Sequence, residues 1–149
     1  MFRKILVPID VIEAEVAERS LAASVTLANT FGAEVRLIYV ASPIVPTSPM
    51  AMIPQAVYDG IGVYEKSRLE EMALQIDLPK ERVSVVVRIG GVYPEVLAEA
   101  ADWPADLIVV GAHRPSMATF LLGSTAAALS RHAKCTVTIV RSPLKAKLI

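Results

Sequence analysis

The chain has 149 residues, 54% of them apolar, with 15 basic against 15 acidic side chains and a pI near 6.7. That length suits one domain, 1–149, with a substantial core, and the balanced charge excludes the basic footprint of a nucleic-acid binder. A single cysteine, Cys135, rules out an internal disulfide and a cysteine metal cluster and points to a reducing, cytoplasmic setting.

The first element, Ile5-Leu6-Val7-Pro8-Ile9, is apolar throughout and stops at Asp10. Unbroken apolar character predicts a strand buried on both faces, with Pro8 near its end because proline cannot donate to a ladder. The run is too short for a signal peptide, and no stretch reaches the roughly 20 apolar residues of a membrane span, so no membrane insertion is expected. A helix over 13–31 follows, with Ala17, Leu21, Val25, Ala28 and Phe31 on its apolar face and Gly32 as its cap.

Glu34 to Val40 reads as the second strand. Pro43, Pro46 and Pro49 then forbid regular structure and leave a long loop, a feature common to lids, partner surfaces and disordered connections. A second helix is expected from Gln55 to Ile76, with Val57, Ile61, Leu69, Met72 and Ile76 inward and Gly60 and Gly62 weakening its first turns. Val83–Ile89 is a third strand with the mixed character of a sheet edge. Pro94 suits the first position of a short third helix. Asp106–Val110 is a fourth, wholly buried strand, and Thr136–Val140 a fifth that alternates as an edge would.

Strands alternating with helices imply a parallel sheet with right-handed crossovers. The most apolar strands, the first and fourth, belong together in the middle. The predicted class is therefore α/β, a three-layer αβα fold around a five-stranded parallel sheet of order 3-2-1-4-5. Its winding reverses between strands one and four, and open sheets bind ligands at that point, beyond the carboxyl ends of the strands. Asp10 and Gly111 both fall there. So does Leu122-Gly123-Ser124-Thr125, where a glycine and two hydroxyl residues open a helix and its unpaired N–H groups make a seat for phosphate. Taken singly, Gly111 reads as a turn and Ser124-Thr125 as a cap; their convergence on one crevice favours the ligand.

Lys4–Asp10, Asp106–Gly111, Leu122–Thr125 and Arg131–Val137 together resemble the universal stress protein family over essentially the whole chain. The nucleotide-binding branch carries Gly, two residues, Gly, nine residues, Gly, then Ser or Thr. Gly111 matches the first glycine, and Gly123 and Ser124 the last pair. Arg114 replaces the middle glycine, with eight residues between it and Gly123. The stretch from His113 to Ser116 and on to Ser124 resembles a small enterobacterial-type subgroup. The resemblance implies an adenine nucleotide alpha-hydrolase-like fold and a stress-response regulatory protein that binds ATP or AMP, with Mg²⁺ carried on the phosphates. Pro8, Ile9 and Asp10 would line the adenine and ribose pocket, Val40 would flank adenine, and Gly111 would approach the ribose or α-phosphate. Gly123, Ser124 and Thr125 would hold phosphates, with the Arg114 guanidinium and His113 beside them. The implied partners are a second copy joined through the fifth strands, Thr136 to Val140, and a protein not named by the sequence.

Two other readings compete with a binding protein. One is a slow ATPase or nucleotidyl-transfer enzyme, with His113 as the only candidate base. The other is a dimeric interaction module in which Arg114 fills a disused site. Of the remaining side chains, Arg88 reads as solvated, Arg131 and His132 as partners of a helix dipole, Trp103 as packing under the third helix and Cys135 as a small buried apolar group.

Overall fold

The computed structural model describes residues 1–11, 14–112 and 122–141. Strands β1 (Lys4–Pro8), β2 (Glu34–Ala41), β3 (Val83–Ile89), β4 (Leu107–Gly111) and β5 (Thr136–Val140) form an all-parallel sheet in the order β3-β2-β1-β4-β5. This is the expected order. Helices α1 (Ala14–Phe31), α2 (Gln55–Asp59), α3 (Val63–Leu74), α4 (Val92–Asp102) and α5 (Ser124–His132) connect the strands.

The pleat divides each central strand between two cores. Ile5, Val7, Val35, Leu37, Leu107 and Val109 face α1 and α3, where Ala17, Ala28 and Leu69 meet them. Leu6, Ile38, Val40, Ile108 and Val110 face α4 and α5, with Val96, Trp103, Ala126 and Leu129 on the other side. Trp103 therefore packs under its helix as expected.

At the foot of the sheet, the Asp106 carboxylate accepts from the amides of Arg3 (2.8 Å) and Lys4 (3.1 Å), joining the chain's start to the head of β4. At the end of α1, Gly32 takes φ +69° and the Ala33 amide donates to Ala28 (3.0 Å), a Schellman closure. The Arg82 guanidinium donates to the carbonyls of both Ala28 and Ala33 at 2.6 Å and covers that terminus.

Several expectations are corrected. The helix expected over Gln55–Ile76 is two helices. Gly62 adopts φ +79° as the cap of α3, and a Cβ there would lie 2.6 Å from Val87 Cγ1, so only glycine turns the chain so close to β3. Val57 is consequently exposed, whereas Leu69 and Ile76 are buried and Met72 packs against them. Pro94 is the third residue of α4, since the helix begins at Val92. Phe31 lies at the edge of its helix face, edge-on to Phe2 at 5.3 Å.

Arg88 is engaged rather than solvated. Its Nε pairs with Glu95 (2.7 Å), and its Nη1 with Glu99 (2.9 Å) and Asp102 (3.1 Å), so one cation at the end of β3 spans successive turns of α4. Glu99, only 4% exposed, also accepts from Arg36 at 2.6 Å, and Arg36 stacks 4.4 Å above Trp103. Two guanidinium groups thus neutralise a carboxylate that could not be buried alone. His132 ends α5 as expected and also stacks on Tyr93 of α4 at 5.9 Å. Cys135 is half-buried against the α4–α5 core, and burial pushes its thiol above the ordinary value.

Candidate functional site

β1 pairs with β2 along its whole length but with β4 only at Ile5↔Leu107 and Leu6↔Ile108. Above those pairs the two central strands part, because Pro8 brings no N–H to hold them. A cavity of about 270 Å³ opens at this point, at the carboxyl ends of the strands.

Pro8, Ile9 and Asp10 form one wall as β1 leaves the sheet. Val110 and Gly111 of β4 form the wall opposite, and Thr125, in the first turn of α5, closes the side next to β4. Ile38, Tyr39, Val40 and Ser42 enter from the end of β2. Asp10, Gly111 and Thr125 of the last helix thus border one crevice. Pro8, Ile9 and Val40 line it with them. Gly123 and Ser124 stand at the cap and first position of α5, outside the lining, and Ser124 is exposed. His113 and Arg114 lie outside the described residues.

Gly123, the cap residue of α5, offers the helix no side-chain acceptor. The amides of its first turn have no acceptor within the helix, and the positive end of its dipole lies beside Thr125. Gly123 sits at φ −53°, a conformation open to any residue. Gly111 is different. A Cβ on it would run into Cγ1 of Val16 and stand 3.2 Å from the Val16 carbonyl oxygen. Glycine is needed there for α1 to settle on β4.

Some lining residues were not expected from the sequence. Val16, Ala17 and Ser20 come from α1, and Val92 and Val96 from α4. Ser20 and Ser24 are buried within α1 and satisfy their hydroxyls on its own carbonyls, Ser24 to Ser20 at 2.7 Å and Ser20 to Ala17 at 3.1 Å. Their spacing with Ala17 and Ala28 continues one helix face, the signal that could have found them. Tyr39 reaches toward acidic ground. Burial, then the carboxylates of Glu65 and Asp10, hold its phenol above the ordinary value.

Among the described residues the site is an apolar slot with one carboxylate, hydroxyls and a helix head at its mouth. It offers apolar walls for a planar ring, an acceptor for hydroxyls and N–H donors for an anion. Among the described residues no group of three or more His, Cys, Asp or Glu is placed to hold a metal, and no helix is long and apolar enough to cross a membrane.

Comparison with known proteins agrees with this fold. The family model described as "Universal stress protein family" matches residues 1–141. Universal stress protein G of Shigella flexneri is 31% identical over 147 residues, covering 95% of this chain and all of that protein. Among solved structures, the universal stress protein UspA from Lactobacillus plantarum superposes with a TM-score of 0.76 at 22% identity, over 94% of this chain and 98% of its own. A universal stress protein family protein from Arabidopsis thaliana, solved with AMP bound, gives 0.60 at 15% identity, over 95% and 93%.

Proposed function

The chain belongs to the universal stress protein family, and from that premise we propose that it binds an adenine nucleotide, ATP or AMP, in the crevice between β1 and β4. The observation that carries this reading is the meeting of Asp10, Gly111 and Thr125 around one cavity at the point where the sheet's winding reverses. The purine would lie among Ile9, Val40 and Val110, with a ribose hydroxyl donating to Asp10. At about 270 Å³ the slot falls just below the usual span of ligand pockets, about 300 to 1,000 Å³. It suits the nucleoside, with phosphates at the mouth beside residues 123–125. Mg²⁺ would ride on those phosphates with water as its other ligands. The AMP-bound Arabidopsis relative supports the ligand class.

The protein acts in this reading as a nucleotide-responsive regulator. Ser42 lines the cavity at the root of the proline-rich loop, so occupancy would order 43–54 and alter the surface offered to a protein partner. Self-association would use β5. It is an edge strand whose apolar Val137, Ile139 and Val140 stay half-exposed, and pairing with a second copy would satisfy its open ladder.

Calorimetric titration of nucleotide-free protein with ATP and with AMP tests the proposal. Saturable heat is expected with at least one of them. No heat up to about 1 mM, the range in which binding free energy falls to about 4 kcal/mol, would overturn it.

A further inference from the structure

α1 and α3 cover the same face of the sheet but sit over different strands. Gly111 lets α1 settle over β4 and β1, while α3 packs on β3 and β2. Helices over adjacent strands usually close on each other at about 8–10 Å. Here a groove of about 570 Å³ is left between them, twice the volume of the cleft and bordering it at Asp10 and Ala17.

The walls of the groove are apolar, with Leu21 and Val25 on α1, Met72 on α3 and Ile76 just beyond its end. Its rim is acidic. Among the described residues Asp10, Glu18, Glu71 and Asp77 stand against one basic residue, Arg68, which is already paired with Glu71 at 3.0 Å. Neither Glu18 nor Asp77 has an ion-pair partner among the described residues. Such a site favours a body that buries carbon below and carries positive charge at the surface, and it repels anions.

We propose that the α1–α3 groove is a second ligand site, one that takes a small organic cation with an apolar body, an aromatic or alkyl amine. The amine nitrogen lies at the acidic rim beside Glu18, the ring or chain lies on Leu21 and Val25, and Asp77, at the Asn29 end of α1, adds to the negative field along the groove. This site does not depend on nucleotide in the cleft.

Tryptamine, protonated at pH 7, is the probe, and indole-3-acetate, with the same ring system and the opposite charge, is its control. Amide chemical shifts of the full chain are followed in the absence of nucleotide. Tryptamine should give saturable shifts confined to α1 around Glu18–Val25 and α3 around Arg68–Leu74, and indole-3-acetate should bind about tenfold more weakly or not at all. Ala22→Phe, an exposed position on the groove wall, should block tryptamine by filling the space. The pair Glu18→Gln and Asp77→Asn should weaken tryptamine several-fold and abolish the preference for the cation. The remaining amide shifts report that each variant is folded. Equal binding of the two probes, shifts elsewhere on the molecule, indifference to all three substitutions, or no saturable shift below about 5 mM would each overturn the proposal.

Discussion

Gly111→Ala separates packing from ligand binding at the centre of the cleft. The backbone of Gly111 lies outside the positive-φ region, so alanine adds no backbone strain. The whole penalty is steric, between the new Cβ and Val16 of α1. Overpacking of this kind costs about 1–3 kcal/mol, offset by the roughly 0.4–1 kcal/mol that alanine gains by stiffening the unfolded chain. The expected net loss is about 1–2 kcal/mol, or roughly 2–8 °C in Tm for a chain of this size, read by urea unfolding. Val16→Ala removes the colliding methyl groups, so the double variant should be more stable than the sum of the single losses predicts, by about 0.5 kcal/mol or more. Recovery stays partial because the Val16 carbonyl oxygen remains 3.2 Å from the new Cβ. Strict additivity would refute the packing argument. Nucleotide affinity gives the second readout. If Gly111 also leaves room for a ribose, the double variant regains stability while ATP binding stays weak.

Glu99→Ala should cost about 2–4 kcal/mol in denaturant unfolding, somewhat under the usual 3–5 for breaking a buried pair, because Arg36 and Arg88 are 25% exposed and regain water. A loss below about 1 kcal/mol would mean that the network is worth no more than surface pairs. Alkaline pH should destabilise the fold. Cys135 and Tyr39 both hold their protons more tightly folded than unfolded. Their contribution is full below the unfolded values, near 9.0 and 10.0, and is lost as pH rises through the higher folded ones. Unfolding followed from pH 8 to 11 should show the decline, with Cys135→Ala removing its earlier part; a flat profile would refute it.

The sheet and the crevice were legible because their signals are local. Unbroken apolar runs at Ile5–Ile9 and Leu107–Val110 mark central strands, and the reversal of winding between them follows from alternation and handedness alone. What stayed hidden depends on distance. Arg88 looks like a solvated edge residue until α4 brings Glu95, Glu99 and Asp102 onto it. The break at Gly60–Gly62 was visible only as weakness, since the need for glycine arises from Val87 across the layer. Gly111 looked like a turn or a ligand contact, and its contact with Val16 depends on how far α1 descends. The groove between α1 and α3 had no signal at all, because it comes from the lateral spacing of two helices whose inward faces are both ordinary.

The carboxylate that holds the amides of Arg3 and Lys4 lies 103 and 102 residues further along the chain. At about 5–20 residues per second, a ribosome needs some seconds to tens of seconds to deliver it after β1 has emerged. During that interval one of the two most apolar strands of the molecule has β2 on one flank and nothing on the other. Closure of the sheet's middle therefore waits on the final third of the polypeptide, and a nascent chain halted before Asp106 is left with an open, sticky seam rather than a smaller folded protein.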